Sequence, residues 1–504
     1  MDLKKLQNGS DIRGVAMDGV ENEPVNLTLE VLENIGQSFG IYLKKCYPQK
    51  KELQVSVGMD PRLSGTKIKR FFTEGLLTQG INVYDFGLAS TPAIFMSTKI
   101  GEEIMDGGVM ITASHLPYNR NGLKFFSTDG GLDKKDITEI LKRVEETNFI
   151  KSNKKGAYFS RNFMDNYSNY LVKMIRNGVN CPTNFDHPLK GLKIIVDAGN
   201  GSGGFFANNV LKELGADISD SQFLQPDGLF PNHAPNPEDE EAMASIVTKV
   251  KESNADLGII FDTDVDRAGL VFEDGTPINR NALIALISTV ILEENPNTTI
   301  VTDSITSNGL TQFIDEKLKG KHHRFKRGYK NVINEAIRLN EIGEPCYLAI
   351  ETSGHAAFKE NYFLDDGAYL VAKLLIKMAI LKREGKTLKS LISELKIPTE
   401  SCEIRIAVKD QNFKQYSEKV LSELELFVEN IADWEIVPNN YEGIRVNCNN
   451  KEQQGWFLLR MSLHDPVLPL NIESEVEKGV EKIFKQLSEW LYRYEKLKIE
   501  KCCH

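Results

Sequence analysis

Three aspartates at alternate positions, followed at once by an arginine, form the segment best suited to bind a metal ion. Asp262, Asp264 and Asp266, with Arg267 next in sequence, directly follow the apolar run Leu257–Phe261. Carboxylates packed this closely repel one another unless a cation neutralises them. Their hard oxygen ligands suit Mg²⁺ or Ca²⁺, and a metal beside an arginine makes a phosphate clamp. The segment therefore predicts a site that binds a divalent metal ion and, next to it, a phosphate group.

Two other interpretations of these aspartates stay open. In a calcium-binding EF-hand loop Asp262 would stand at position 1 and Glu273 at position 12. Position 6 would then be Arg267, where that loop needs glycine, and the preceding segment is strand-like. The aspartates could also form a solvated acidic turn without a ligand.

A second segment carries a serine beside a histidine. Ser114 and His115 follow the apolar run 108–111, and the asparagines, glycine and proline after them favour a turn. Lys124 lies ten residues beyond Ser114, close enough for the chain to fold back. Ser114 could be a nucleophile, carry a phosphoryl group, or be an ordinary loop serine. The sequence has no Gly-x-Ser-x-Gly elbow, so serine-hydrolase chemistry gains little support.

Two more loops carry groups that bind sugars and phosphates. One is Glu-Thr-Ser-Gly-His at 351–355, whose carboxylate and hydroxyl could hold sugar hydroxyls. The other is Arg-Met-Ser-Leu-His at 460–464, whose arginine offers a planar fork for phosphate. Polar turns between strands would look the same, so each loop alone is ambiguous. The candidate side chains are Glu351, Ser353, His355, Arg460, Ser462 and His464, with Lys326 in a separate basic run.

A glycine-rich turn supports a competing hypothesis. The segment 199–204 matches Gly-x-Gly-x-x-Gly after a strand-like run, and Asp217 lies about the right distance beyond it for a dinucleotide site. A dehydrogenase would bind NAD there and need no magnesium. A tight structural turn explains the glycines equally well, and the dehydrogenase hypothesis leaves the aspartate cluster without a role.

Short apolar runs, each followed by a polar turn and a helix-like stretch, recur along the chain and must position these loops. Their β-branched content predicts strands buried on both faces. Strands that alternate with helices indicate mixed or parallel sheets, with ligands beyond the carboxyl ends of the strands. The last section shows more strand-like alternation, then predicts a long amphipathic helix over about 473–498. The predicted buried strands are 54–58, 81–86, 108–111, 192–196, 257–261, 299–301 and 347–350.

Composition excludes several classes of protein. The chain has 504 residues, 41% hydrophobic and 26% charged, which is enough for several ordinary cores. Its net charge of −10 argues against nucleic-acid binding. Seven scattered cysteines argue against a disulfide framework, and no long apolar window or signal-like N-terminus is seen. We expect a cytoplasmic protein that contacts no membrane.

The order of the four loops resembles that of the α-D-phosphohexomutase family, in its phosphomannomutase/phosphoglucomutase branch. The serine loop, Asp-x-Asp-x-Asp-Arg, Glu-x-Ser-Gly-His and Arg-x-Ser-x-His follow one another as in that family. The likeness also includes Gly-Ser-Asp-Ile-Arg-Gly at 9–14, Pro-Asp-Gly-Leu-Phe-Pro at 226–231 and Pro-Asn-Pro at 235–237. It extends essentially from end to end.

The resemblance implies three successive α/β mixed-sheet domains and a C-terminal α+β domain around a central cleft. We expect a first domain at 1–185 with the phosphoserine loop and a second at 186–296 with the metal loop. A third at 297–397 would carry the sugar-binding loop, and a fourth at 398–504 the phosphate-binding loop. The enzyme would interconvert hexose 1-phosphate and hexose 6-phosphate of mannose or glucose, through a phosphoserine and a bisphosphorylated sugar.

The resemblance also implies a role for each candidate residue. Ser114 would be the phosphoserine, and its oxygen with Asp262, Asp264 and Asp266 would hold Mg²⁺. The implied catalytic residues are Ser114, His115, Lys124 and Arg13, with Lys124 as general acid and base. The implied substrate-binding residues are Arg267, Lys326, Glu351, Ser353, His355, Arg460, Ser462 and His464. A hexose 1,6-bisphosphate would act as activator, and the protein would be a monomer or dimer.

Two departures from the family pattern stand out. Leu116 replaces the usual asparagine after Ser-His, and His464 with Asp465 replaces the usual Thr-Glu of the last loop. The nucleophile is kept, and His464 can still donate to phosphate. Phosphoglucosamine mutase activity is the enzymatic alternative, although that type usually has glutamine where this chain has Thr352. A non-catalytic sugar-phosphate-binding protein is the alternative from another class.

Overall fold

The computed structural model describes residues 3–146, 149–462 and 465–499. The chain folds into two compact units, each built from separated stretches of sequence. The first contains the residues up to 279 together with 353–390, and the second contains 280–352 and the residues from 391 onward. The architecture is three α/β domains followed by a C-terminal β-rich domain, as the sequence predicts.

The first sheet combines parallel and antiparallel strands. Its strands are β1 (Gln7–Asn8), β2 (Asp11–Val15), β3 (Gln54–Met59), β4 (Asn82–Leu88), β5 (Gly107–Ile111), β6 (Arg120–Ser127), β7 (Gly130–Gly131) and β8 (Tyr158–Ser160). Their order is β1-β2-β6-β5-β3-β4-β8, with β7 on β6. Strands β5, β3, β4 and β8 pair in parallel, whereas β1, β2, β6 and β7 pair antiparallel.

Helical segments accompany this sheet. They are a 3₁₀ turn (Leu3–Leu6), α1 (Leu29–Cys46), α2 (Gly65–Thr78), α3 (Thr91–Met96), α4 (Lys134–Glu146) and α5 (Met164–Val179). Helices α1 and α2 approach each other closely through glycines. A Cβ on Gly36 would lie 2.1 Å from the Phe72 carbonyl oxygen, and one on Gly75 would lie 2.1 Å from that of Glu33. The aromatic core beneath them includes Phe39 and Phe125, whose ring centroids are 4.9 Å apart.

The second sheet carries the aspartate loop. Its strands are β9 (Ile194–Asp197), β10 (Leu257–Phe261), β11 (Ala268–Phe272) and β12 (Pro277–Ile278), in the order β12-β11-β10-β9. A π-helical turn (Phe206–Leu211) and α6 (Glu240–Ser253) accompany them. Strands β10 and β11 form an antiparallel hairpin, so the aspartates lie in a strand-to-strand loop. An EF-hand loop joins two helices, and that interpretation is therefore wrong.

Residues 280–352 open the second unit. They form α7 (Arg280–Glu294), β13 (Thr299–Thr302), α8 (Asn308–Gln312), a π-helical turn (Phe313–Lys317), β14 (Lys321–Arg324), α9 (Tyr329–Glu341) and β15 (Cys346–Ile350). Strand β13 pairs in parallel with both β14 and β15. The predicted domain bounds stay predictions. We propose that the third domain begins at 280 rather than 297, because α7 packs against β15.

Residues 353–390 belong to the first unit again. They form the antiparallel pair β16 (Ala356–Phe358) and β17 (Leu364–Asp365), a 3₁₀ turn (Lys359–Asn361) and α10 (Gly367–Arg383). Asp366 caps α10, because its carboxylate accepts a hydrogen bond from the Tyr369 N–H. A 3₁₀ turn (Leu388–Ile392) follows the helix.

The C-terminal sheet is antiparallel throughout. It contains β18 (Glu400–Val408), β19 (Trp434–Ile436), β20 (Ile444–Cys448), β21 (Gly455–Leu459), β22 (Val467–Ser474) and β23 (Leu497–Lys498), in the order β19-β20-β21-β22-β18-β23. Its helices are α11 (Phe413–Val428) and α12 (Gly479–Leu491). The predicted helix over 473–498 is therefore too long at both ends. Its first residues end β22 and its last residues form β23, and both strands pair with β18.

Of the residues described, none belongs to a helix with the length and apolar character that a bilayer span requires.

Candidate active site

Ser114 lies in a buried loop just beyond the end of β5. The residue is 3% exposed, and its backbone adopts a left-handed conformation with φ +52°. Its Oγ lies 2.9 Å from Asp262 Oδ2, to which it donates, and 2.9 Å from Arg267 Nη2, from which it accepts. The serine oxygen is thus held between an acid and a guanidinium.

The three aspartates form a buried carboxylate cluster in the loop between β10 and β11. One ligand atom of each lies within 4.8 Å of the others. Burial raises the pKa of Asp262 well above its usual range, and the charges of Asp266 and Asp264 add to the rise. Oδ1 of Asp264 and Oδ1 of Asp266 are buried and accept no hydrogen bond from any described residue. Such oxygens fit a hard divalent cation.

Lys124, on β6, partly neutralises the carboxylate cluster. Its Nζ lies 3.1 Å from Asp264 Oδ2 and also forms a close ion pair with Asp266. Burial alone would raise the pKa of Asp266, but the charges of Lys124, His355 and Arg267 outweigh it and lower that pKa. The Lys124 ammonium therefore offsets part of the negative charge of Asp264 and Asp266.

His115 is held as a neutral imidazole. Arg267 Nη2 donates to its Nδ1 over 2.7 Å, so the ring proton is placed on Nε2. Removal of much of the ring from water, with the positive charges of Arg267 and Arg13, lowers the pKa of His115 to about 3. Arg13 is oriented by Asp11, whose Oδ2 lies 2.9 Å from its Nη2.

A second histidine, His355, lies beside the carboxylate cluster. His355 Nδ1 forms a close ion pair with Asp365 and lies 3.9 Å from Asp266 Oδ1. Burial opposes the charge, but Asp365 and Asp266 raise the pKa of His355 to about 9. Ser353 lies in the same loop, and its buried Oγ makes no hydrogen bond to a described residue.

The second unit holds Lys326, Glu351 and the Arg460 loop. Glu351 Oε1 accepts from the Gly328 N–H over 2.6 Å, which anchors the basic run that contains Lys326. Arg460 is 8% exposed, and its Nη1 lies 3.8 Å from Glu442 Oε1. The Glu442 carboxylate also accepts from Arg327 N–H over 3.2 Å and from Ser304 Oγ over 2.5 Å.

The turn after Arg460 is only partly described. The Ser462 N–H donates to the Val467 carbonyl over 3.0 Å, and its Oγ accepts from the Asp465 N–H over 3.3 Å. His464, which the sequence predicts to bind phosphate, lies outside the described residues. Burial lowers the pKa of Arg460 from its usual value, but an arginine stays charged at neutral pH.

Three family models match consecutive parts of the chain. They describe the phosphoglucomutase/phosphomannomutase α/β/α domains I, II and III, and they match residues 4–151, 166–275 and 279–397. A phosphomannomutase/phosphoglucomutase of Pseudomonas syringae pv. tomato is 32% identical over 477 residues, which cover 94% of this chain and 92% of that protein. The chain belongs to the phosphoglucomutase/phosphomannomutase family. Its resemblance to the α-D-phosphohexomutases is thereby confirmed, and it is an isomerase of the phosphohexose mutase type.

Other members of the phosphoglucomutase/phosphomannomutase family also match this chain over nearly its whole length. A phosphomannomutase of Methanocaldococcus jannaschii is 30% identical, with 91% of this chain and 93% of that protein covered. A solved structure of a phosphoglucomutase/phosphomannomutase family protein from Burkholderia thailandensis matches at a TM-score of 0.79 and 28% identity. It covers 97% of this chain and 98% of that one.

The described site residues predicted for this family member fall into two groups, one in each unit. One group lies in the first unit and contains Arg13, Ser114, His115, Lys124, Asp262, Asp264, Asp266, Arg267, Ser353 and His355. The other lies in the second unit and contains Lys326, Glu351, Arg460 and Ser462. The Glu-Thr-Ser-Gly-His loop is divided between the units after Thr352. The roles of these residues stay predictions.

Sequence reasoning missed several buried or half-buried polar residues that support the two groups. In the first unit these are Asp60, Arg62, Thr91, Thr112 and Asp365, and in the second they are Asp303, Arg327 and Glu442. Asp303 lies in the polar loop after β13, and Arg327 lies in the basic run beside Lys326. Both segments were visible in the sequence, so they could have indicated these two residues. The sequence around Glu442 gave none.

Packing accounts for the glycine-rich turn that suggested a dinucleotide site. A Cβ on Gly201 would lie 2.7 Å from the Thr263 carbonyl oxygen, and one on Gly204 would lie 2.3 Å from that of Leu224. Gly199 has φ +51°, and Asn200 has φ +59°. The glycines therefore serve a tight turn against the aspartate loop, and the dehydrogenase hypothesis is wrong for this family member.

Proposed function

We propose that the chain interconverts hexose 1-phosphates and hexose 6-phosphates through a phosphorylated Ser114. The proposal depends most on the surroundings of this serine. Its Oγ lies 2.9 Å from both a carboxylate and a guanidinium, beside carboxylate oxygens that accept no hydrogen bond from any residue the structure describes. A phosphoryl group on that oxygen would meet Arg267 directly and could share a cation with Asp264 and Asp266.

In the proposed reaction, the bond from the Ser114 oxygen to phosphorus breaks as a bond from a sugar hydroxyl to the same phosphorus forms. Lys124 must lose a proton before it can act as a base; in that neutral form it takes the proton of the sugar hydroxyl and passes it to Oγ of Ser114. The reverse transfer, from the other end of the resulting bisphosphate, restores the phosphoserine. Arg267, Arg13 and neutral His115 stabilise the charge on the phosphoryl oxygens.

Mg²⁺ is the cofactor we propose, held by Asp262, Asp264, Asp266 and the phosphoserine oxygen. Bound there, it would neutralise charge on the transferring phosphoryl group. A hexose 1,6-bisphosphate would act as activator, because it can phosphorylate Ser114 when the phosphate has been lost.

The second group of residues would bind the rest of the substrate. We propose that Arg460, Ser462 and His464 hold the phosphate that is not transferred, and that Glu351, Ser353, His355 and Lys326 hold the sugar. A monomer or dimer in the cytoplasm stays the prediction for the assembly and its location.

A coupled assay on purified protein tests the function and the sugar together. Glucose 1-phosphate, mannose 1-phosphate and glucosamine 1-phosphate are supplied in parallel, with Mg²⁺ and a trace of glucose 1,6-bisphosphate. Turnover of the first two is expected. Turnover of glucosamine 1-phosphate alone would keep the mechanism and change the substrate, and no turnover of any of them would contradict the proposal.

A further inference from the structure

We infer that Arg62, together with Asp60, is a positioning residue that holds the nucleophile loop in its reactive shape. The inference rests on the proposed role of Ser114. Arg62 follows β3, 52 residues before Ser114 in sequence, and its side chain is 0% exposed. It does not contact the carboxylate cluster through any hydrogen bond found among the described residues.

The Arg62 guanidinium uses all five of its N–H donors. Its Nη2 donates to the carbonyl oxygens of Ser114 (2.5 Å) and Leu116 (2.6 Å). Its Nη1 donates to those of Pro117 (2.7 Å) and Arg120 (3.1 Å). Its Nε donates to Asp60 Oδ2 over 3.2 Å. Four of the five acceptors are therefore backbone carbonyls between Ser114 and Arg120, the segment that leads from the nucleophile into β6.

Both peptide groups of Ser114 are tied to this pair. The Ser114 N–H donates to Thr112 Oγ1 over 2.9 Å, and that hydroxyl donates to Asp60 Oδ2 over 2.7 Å. The Ser114 carbonyl accepts directly from Arg62. A residue with a side chain disfavours the left-handed backbone that Ser114 adopts, so the surroundings must fix it. Asp60 and Arg62 supply this constraint and thereby set the direction of the Ser114 side chain.

The loop at 226–231 closes over Arg62. The Phe230 ring centroid lies 5.1 Å from the guanidinium carbon. A Cβ on Gly228 would lie 2.3 Å from the Pro61 carbonyl oxygen, so glycine permits the loop to press on the backbone beside Arg62. The guanidinium is thus kept from water, and the hydrogen bonds it makes with described residues go to Asp60 and to the backbone that carries Ser114.

The same contacts account for the tolerance of Leu116 at a position where the family usually has asparagine. The loop is held there by the carbonyl oxygen of residue 116, which every residue type supplies. The side chain of residue 116 is therefore not needed to set the Ser114 conformation.

Loss of the constraint should lower kcat and leave substrate binding unchanged. A displacement of the reacting atom by about 1 Å can cost roughly 100-fold in rate. Lys has three donors and no planar fork, so Arg62→Lys cannot hold four carbonyls. We expect kcat to fall at least 10-fold in that variant, with KM within twofold of wild type. Arg70→Lys, on the exposed face of α2, is the matched control.

Two substitutions at Thr112, which disturb the structure less, keep the inference testable if Arg62→Lys does not fold. Thr112→Val keeps the shape of the side chain but removes the hydroxyl that links Ser114 to Asp60, whereas Thr112→Ser keeps the hydroxyl. We expect kcat to fall about 10-fold in Thr112→Val and to be restored in Thr112→Ser. Equal kcat in Thr112→Val and wild type, with both proteins folded, would overturn the inference.

Amide hydrogen exchange of residues 112–121 is measured in the same proteins. It tests the positioning role of Asp60 and Arg62 separately from the proposed mutase function. Faster exchange confined to this segment in Arg62→Lys or Thr112→Val would support the positioning role even if the wild type lacked mutase activity. Absence of turnover in the wild type would instead contradict the proposed function. Unchanged exchange and unchanged kcat in Thr112→Val would contradict the role of Asp60 and Arg62 while leaving the proposed function intact.

Discussion

Replacement of Arg460 by alanine should weaken substrate binding far more than it slows turnover. Arg460 is 8% exposed, and its Nε makes no hydrogen bond with a described residue. Its nearest carboxylate oxygen, on Glu442, lies 3.8 Å from Nη1, which is beyond hydrogen-bond distance. The guanidinium therefore has donors available for a phosphate.

The expected rise of KM in Arg460→Ala follows from the loss of these hydrogen-bond donors. A hydrogen bond between charged groups contributes about 1.5–3 kcal/mol, so loss of a forked pair should cost about 3 kcal/mol. Because each 1.4 kcal/mol is a factor of ten, KM should rise roughly 100-fold. Arg460→Lys keeps the charge but loses the planar fork, and we expect a rise of about 10-fold.

Steady-state kinetics with varied hexose 1-phosphate and fixed Mg²⁺ measure both constants. Arg493→Ala, an exposed arginine of the same C-terminal domain, is the control and should leave KM unchanged. A threefold or smaller change of KM in Arg460→Ala would refute the phosphate-binding role. A loss of kcat with KM unchanged would refute it too, because it would place Arg460 in the chemical step.

Three further predictions follow from other parts of the structure. Mg²⁺ should raise the melting temperature of EDTA-treated protein, and Asp264→Asn should abolish that rise, because Oδ1 of Asp264 and of Asp266, which accept no hydrogen bond from a described residue, would bind the proposed ion; an equal rise in the variant would contradict the site. Burial and the charges of Arg324 and Arg445 hold the pKa of His322 well below its usual value, so the unfolded chain takes up a proton below about pH 6.5 that the folded chain does not. The free energy of unfolding, measured in urea, should therefore fall more steeply from pH 7 to pH 5 in wild type than in His322→Gln, and parallel curves would contradict this. Arg445 is fully buried, donates to the Ser304 and Thr306 carbonyls and lies 3.5 Å from the Trp456 ring centroid. Arg445→Met should cost about 3 kcal/mol of unfolding free energy, and a loss below about 1 kcal/mol would refute the contribution of these bonds.

The strands were predicted well because a strand buried on both faces appears in the sequence as a short, continuous apolar run. The seven predicted runs all fall on observed strands, since β-branched residues cluster where both faces of a strand are buried. The C-terminal helix was overextended because helical periodicity says nothing about strand pairing. Leu497 follows that periodicity, yet it pairs with Val408 of β18.

The candidate site was predicted where its residues are neighbours in sequence. Asp262, Asp264, Asp266 and Arg267 lie in one hairpin loop, so their types and spacing were enough to single them out. Arg62 was missed because four of its five hydrogen-bond acceptors lie 52–58 residues away and are backbone carbonyls, which carry no signal in the residue type. Glu442 was missed because its contacts with Ser304 and Arg327 span more than 100 residues.

The proposed function depends above all on phosphorylation of Ser114 during turnover. Mass spectrometry of the intact protein and of its peptides tests this most directly. The protein is dephosphorylated with excess hexose 6-phosphate, then mixed with glucose 1,6-bisphosphate and quenched at intervals. We expect one phosphate to appear on the peptide that contains Ser114, at a rate at least equal to kcat, and Ser114→Ala to show neither phosphate nor turnover. Turnover in Ser114→Ala at the wild-type rate, or a phosphate on another residue, would contradict the account.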